Sequence, residues 1–307
     1  MPRTGAFMRP APVVIFAYMR ADHLRRTVES LLANPEAGST DVIVYCDATK
    51  SSAHQPMIDA VRTYAESISG FRSVECIHRP SNVGLMRSVI DGVTKTLAKH
   101  GRAIVLEDDL LLSPHFLRYM NAALDRYEHD PQVASIHGYV YPVGEALPET
   151  FFLKGADCWG WATWSRGWAH FDADGSKLLR EILEKGLVRE FDFDGQFPYS
   201  NMLRDQIAGR NSSWAILWYA SCFLKDLLTL YPGRSLVENI GNDSSGTHCE
   251  TTDAMSRAPT SRPVQVETIA VQPSEVARAA FVRFFAEQRP WRTRVRSSLK
   301  RMLKSRI

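Results

Sequence analysis

At 307 residues the chain is long enough to bury a sizeable core, as one large domain or two smaller ones. Its 45% hydrophobic and 23% charged content is that of an ordinary globular protein, and no apolar run approaches the roughly 20 residues that span a bilayer. The net charge of +3 hides an asymmetry, because residues 289–307 hold eight Lys/Arg and no acid, leaving 29 basic against 34 acidic side chains before them; a mildly acidic body argues against nucleic-acid binding.

The first 140 residues alternate strand and helix patterns. Val13–Tyr18 is a continuous apolar run, as in a strand buried on both faces. Leu24, Val28, Leu31 and Leu32 then mark one face of a helix. Val42–Tyr45 reads as a second strand ending at Asp47, followed by a helical stretch near Met57–Ile68 and a third strand at Val74–Ile77. The loop "HRPSNVGL" comes next, with Asn82 placed to cap a helix carrying Leu85, Val89, Val93 and Leu97. Ala103–Leu106 is the fourth strand and runs directly into Glu107-Asp108-Asp109; Ser113-Pro114 opens another helix, and Val133–Ile136 is a fifth strand. Repeated strand–helix units imply an α/β fold with a mostly parallel sheet flanked by helices, in which ligands sit beyond the carboxyl ends of the strands. Asp47 and the three acids fall at such ends.

From about residue 150 the character changes. "CWGWATWSRGW" (158–168) reads as a tryptophan-rich loop, residues 212–228 as a buried amphipathic helix, and residues 228–249 as a strand, a turn, a short apolar run and a Gly/Ser loop ending near His248. Residues 250–275 are rich in Thr, Ser and Pro and read as an irregular wrap.

The acids of "AIVLEDDLLL" (103–112) carry the chemistry. Three carboxylates against a core are tolerable around a cation, and Mg²⁺ or Mn²⁺ takes carboxylate oxygens while leaving positions for water and substrate phosphates. In an extended chain Glu107 and Asp109 point to one side and Asp108 to the other, so one strand end addresses two ligands. Indole rings stack on the apolar faces of sugars, and Trp159, Trp161 and Trp164 are candidates to shape such a surface, with Trp161 the preferred crevice residue.

Several segments resemble, in order, the nucleotide-sugar glycosyltransferases of GT-A fold, in particular the N-acetylglucosaminyltransferase I type and related bacterial family 2 sugar transferases. "PVVIFAYMRADHLRRTVESLL", "VIVYCDATK", "RPSNVGLMRSV", "VLEDDLLLSPHFLRYMNAAL", "GWATW" and the segment from "SWAILW" to "GTHC" carry the resemblance over roughly residues 12–250. It implies a catalytic domain over residues 1–250, with a nucleotide-sugar and metal half at about 12–140 and an acceptor half at about 141–250. An irregular wrap and helix at 251–288 and a basic amphipathic tail at 289–307 would follow.

By the same resemblance, Asp109 would ligate Mn²⁺ (or Mg²⁺), Asp108 would bind ribose or donor-sugar hydroxyls, and Glu107 would support the cluster. Asp47 would meet the nucleobase, with Ala17, Tyr18 and Arg20 lining its pocket. Arg87 would reach the diphosphate and His248 the metal or a phosphate. The expected activity is metal-dependent, inverting transfer of a hexosyl or N-acetylhexosaminyl group from a nucleotide-diphosphate donor, UDP-sugar favoured, to a glycan or lipid-linked glycan. Such a reaction needs a carboxylate to take the acceptor's proton. The animal enzymes place acids between two tryptophans where this chain has "SSWAILW", so Asp205 is the candidate base, with Asp157, Asp192 and Asp194 as alternatives.

Two other classes compete. A sugar-phosphate nucleotidyltransferase shares the sheet and metal, but its glycine-rich basic loop has no counterpart in "FAYMRADHL". A non-catalytic glycan-binding module would show no metal-dependent nucleotide binding. The five cysteines lack any CxxC pair and the N-terminus lacks a secretory layout, which together predict a cytoplasmic protein. In the tail, Val295, Leu299, Met302 and Leu303 form an apolar stripe on a cationic helix, which predicts peripheral attraction to an anionic membrane surface.

Overall fold

The computed structural model describes residues 10–241 and 255–288; His248 and the basic tail lie outside the described residues. The first half follows the expected alternation: β1 (Val13–Ala17), α1 (Ala21–Leu32), β2 (Asp41–Cys46), α2 (Gln55–Ser67), β3 (Ser73–His78), α3 (Leu85–His100) and β4 (Arg102–Glu107). Then come β5 (Leu110–Leu112), α4 (Phe116–Arg126), β6 (Val133–His137), β7 (Thr150–Lys154), β8 (Trp161–Trp164) and α5 (Ser165–Trp168). The remainder comprises α6 (Gly175–Glu184), α7 (Val188–Phe191), α8 (Tyr199–Ile207), α9 (Ala215–Leu224), β9 (Leu228–Pro232), β10 (Val237–Asn239) and α10 (Glu275–Gln288).

One eight-stranded sheet runs in the order β3-β2-β1-β4-β8-β6-β9-β7. Strands β3, β2, β1 and β4 are parallel, β8 is inserted antiparallel between β4 and β6, and β9 pairs parallel with β6 and antiparallel with β7. The fold is thus mixed α/β, with a large, mostly parallel central sheet flanked by helices. The chain winds outward from β1 to β3 and then returns to place β4 on the other side of β1. That reversal opens a crevice at the carboxyl ends of β1 and β4.

Period-two alternation sorts the strands between two cores. In β1, Val13, Ile15 and Ala17 pack on one side with α1 and α2, while Val14 and Phe16 pack on the other with Val89 and Val93 of α3. Gly92 lets α3 approach so closely that a Cβ there would fall 2.7 Å from the Phe16 ring. Phe281 and Phe285 of α10 enter the other core, the one shared with α1, and pack there against Tyr141.

Three local expectations are corrected. Asn82 does not cap α3: Gly84, at φ 76°, fills that position, and the Asn82 amide donates instead to the Ala48 carbonyl at 2.6 Å. The tryptophan-rich stretch is no loop but contains the central strand β8, covered on both faces, which makes its rings core residues. Helix α9 is apolar on nearly every side and is buried all round rather than amphipathic.

Candidate functional site

Two turns meet at the switch point. The first follows β1, where Met19 takes the left-handed conformation (φ 61°) and delivers the chain into α1 at Arg20. The second is the acid turn between β4 and β5. Thr27, buried in α1, fixes it from below: its hydroxyl donates to the Asp108 carbonyl at 2.8 Å and accepts from the Leu110 N–H at 3.2 Å. The Tyr18 N–H donates to Asp108 Oδ2 at 2.9 Å, locking one turn to the other.

Because residues 108 and 109 form a turn, the side-to-side alternation of an extended strand stops at Glu107. Asp108 and Asp109 therefore converge, correcting the expectation that they face opposite ways. Arg20 Nη2 lies 2.5 Å from Asp108 Oδ1 and 2.8 Å from Asp109 Oδ2. Glu107 turns toward the start of α9, where the Trp214 indole N–H donates to it. Burial, then the charges of Asp109 and Asp108, push the Glu107 carboxyl up to about 8. Asp108 rises to about 6, since burial outweighs the opposing pull of Arg20. Arg20 itself stays charged: burial disfavours the cation, but Asp108 and Asp109 overcome that cost.

These groups line a cavity of about 340 Å³ that also takes in Ala17, Tyr18, Asp47 and Arg87, so eight of the expected residues share one space. Asp47 is nonetheless occupied. Its Oδ1 accepts the Ala48 N–H at 2.8 Å and its Oδ2 the Gly84 N–H at 2.9 Å, with Val83 N–H between them at 3.1 and 3.3 Å. The carboxylate braces the 82–84 loop that walls the cavity. Arg87 is exposed at the mouth. Lys50 and Ser212 also line it, and no local motif marks either one.

A second stretch of chain closes over the acids. β10 pairs antiparallel with β5, and the Ile240 N–H then donates to the Asp109 carbonyl at 2.8 Å. Gly241 follows, and a Cβ there would overlap the Asp109 carboxylate and lie 3.0 Å from Arg20 Nη1. The absence of a side chain at 241 is what lets the backbone pass over Asp109.

Among the described residues, no group of three or more His, Cys, Asp or Glu is arranged to hold a metal ion. The chemistry of the acids still fits a hard cation. Asp109 Oδ1 is buried with no hydrogen-bond partner, a costly state that a cation ligated jointly by carboxylate, water and phosphate would relieve.

The acceptor-side expectations fare unevenly. Trp161 has no exposed surface and packs 5.4–6.0 Å from the rings of Trp168, Trp214 and Trp218. Trp164 is buried too, its indole N–H donating to the Leu124 carbonyl at 3.2 Å. Both are corrected to core residues. Trp159, two residues before the strand, stays half-buried; its ring lies 4.7 Å from that of Tyr139, and its backbone N–H donates to His137 Nε2 at 3.1 Å. Asp205 sits on α8 in an exposed ion pair with Arg210 and is not among the residues lining the cavity.

Asp157, half-buried just ahead of β8, does not line the cavity either, but its carboxylate has an ordered neutral partner. The Tyr141 hydroxyl donates to Asp157 Oδ2 at 3.3 Å. The neighbouring Cys158 thiol is pushed well up by burial and by the charges of Asp157, Glu107 and Asp109. Among the described residues Asp157 has no cationic partner within ion-pair distance.

Comparison with known proteins agrees with this layout. Residues 10–142 match the sequence model of the family described as Glycosyltransferase like family 2, a segment that holds β1 through β6 and the acid turn. No curated protein sequence matches the chain. Among solved structures, S. aureus TarS aligns over 48% of this chain at 14% identity with a TM-score of 0.33. The chain spans about a quarter of the length of TarS, 24% of which is covered. No described helix is long and apolar enough to cross a membrane.

Proposed function

We propose that the protein is a metal-dependent, inverting glycosyltransferase that moves a sugar from a nucleotide-diphosphate donor, UDP-sugar favoured, to a glycan or lipid-linked glycan. The observation that carries this reading is the pair Asp108–Asp109 at the β1/β4 switch point, lining a cavity of about 340 Å³, with one buried Asp109 carboxylate oxygen that has no hydrogen-bond partner. A Mn²⁺ or Mg²⁺ ion held there, chiefly by Asp109, would supply Lewis-acid neutralisation of the departing diphosphate.

The chain's own residues do the rest. The backbone of residues 17–20 and 82–84 shapes the nucleoside pocket, and Asp47 keeps the latter loop in place. Arg20 and Arg87 bring positive charge to the phosphates. Asp157 is the acceptor-side base in this reading, replacing Asp205: its carboxylate is oriented by the Tyr141 hydroxyl and, among the described residues, is paired with no cation that would hold its charge. Trp159 offers that acceptor a partly exposed ring face. His248 and the 289–307 tail, the latter for an anionic membrane, complete the reading as proposals from sequence alone.

The test is calorimetry of UDP with and without Mn²⁺, followed by a panel of UDP-sugars scored for nucleotide release. Mn²⁺-dependent UDP binding that Asp109→Ala abolishes is expected. Metal-independent nucleotide binding with unchanged affinity in Asp109→Ala would overturn the reading, and a glycan-binding module would bind no nucleotide at all.

A further inference from the structure

We propose that Arg20 is the resident counterion of the acid turn and competes with the divalent cation for Asp109. Entry of the metal would release the guanidinium to the diphosphate. The inference rests on the metal-dependent reading above.

The geometry sets up a contest for one oxygen pair. A single nitrogen, Nη2, bridges Asp108 Oδ1 and Asp109 Oδ2, while Asp109 Oδ1 has no partner. An arginine does not lose its proton under working conditions, so it yields only by moving. A divalent cation bound to Asp109 would stand within a few ångströms of that fixed positive charge, and the repulsion is strong in a partly desolvated site. The backbone on both sides is locked: Tyr18 N–H holds Asp108, Thr27 holds the turn and Ile240 N–H holds the Asp109 carbonyl. The Arg20 side chain is the long, flexible group among them, and among the described residues the hydrogen bonds that hold its guanidinium are those to the two acids. It keeps 18% of its surface exposed and already lines the cavity where a diphosphate would lie. Arg20 is thus a positioning residue with two stations, one on the empty acids and one on the phosphates. The two ligands become coupled, because phosphate offers the guanidinium a place to go.

Binding of Mn²⁺ alone, followed by the electron paramagnetic resonance signal of the free ion, tests this on the full chain. Arg20→Gln is expected to bind Mn²⁺ about tenfold tighter than wild type without nucleotide, and to bind UDP about tenfold more weakly at saturating Mn²⁺. A merely structural role for Arg20 would weaken both. Arg20→Lys, which keeps the charge but cannot bridge two carboxylates in the same planar way, should show the same gain in smaller degree, and it decides the matter if the glutamine variant does not fold by circular dichroism. Unchanged or weaker Mn²⁺ binding in a folded variant would overturn the proposal. Wild-type UDP binding indifferent to Mn²⁺ would instead sink the functional reading beneath it.

Discussion

Gly241 lies directly over the carboxylate of Asp109, 132 positions earlier in the chain, with no room between them for a methyl group. The contact is steric, since the conformation at 241 does not itself call for glycine. Gly241→Ala must therefore push the Asp109 carboxylate or Arg20 aside. Forced overpacking of this kind costs about 1–3 kcal/mol. Mn²⁺-dependent UDP affinity is expected to fall about tenfold, measured by calorimetry, with the far-ultraviolet spectrum unchanged; wild-type affinity in the variant would show that the acids do not need their observed positions.

Glu107 gives the metal-free protein a pH signature. An unfolded glutamate ionises near its ordinary value of 4.5, whereas the folded carboxyl holds its proton up to about 8. Between those values the folded chain binds the extra proton, so this group's contribution to stability falls as pH rises through the window. Glu107→Gln keeps an oxygen for the Trp214 N–H and cannot ionise. In the presence of a chelator it should melt with wild type near pH 5 and above it at pH 9, by on the order of a few degrees. An offset equal at both pH values would count against a buried, proton-retaining Glu107.

Asp157 and Asp205 are separable by one pair of variants. Asp157→Asn should lower transfer by roughly 10²–10⁴-fold while leaving UDP and Mn²⁺ binding as in wild type, the loss expected for removal of a general base. Asp205→Asn breaks an exposed ion pair worth at most about 1 kcal/mol and should transfer at nearly the wild-type rate. The reverse outcome would return the base role to α8.

The tryptophans of "CWGWATW" divide between the buried core and a partly exposed position at Trp159. Trp161→Ala removes the centre of a four-indole cluster and should cost about 3–5 kcal/mol in chemical denaturation. Trp159→Ala should cost roughly 1–2 kcal/mol and raise the acceptor KM without changing UDP affinity. Equal destabilisation by both would make Trp159 a plain core residue.

The parallel half of the fold was legible because strands buried on both faces leave unbroken apolar runs, as in Val13–Ala17 and Ala103–Leu106, and because the intervening helices carry clear apolar faces. The acids were legible by their place after such a run. What escaped was whatever long-range pairing decides. β8 is a four-residue strand made of Trp, Ala and Thr, indistinguishable in isolation from an aromatic loop; only its insertion between β4 and β6 makes Trp161 and Trp164 core. The convergence of Asp108 and Asp109 depends on the Thr27 hydrogen bonds, and the saturation of Asp47 on a loop 36 residues away. Asp157 carries no local motif, and what singles it out is the hydrogen bond from Tyr141, a contact made by the fold.

The β5–β10 ladder bears on how this protein can be cut or recombined. The segment resembling a known family ends at residue 142, yet the carbonyl of Asp109 is held by Ile240 and its carboxylate is roofed by Gly241. A fragment ending near 142 would carry every acid of the turn and still lack half of what fixes them. A chimera that exchanges the first half of the chain must bring residues 228–241 with it, so the unit of inheritance for this site is discontinuous in sequence.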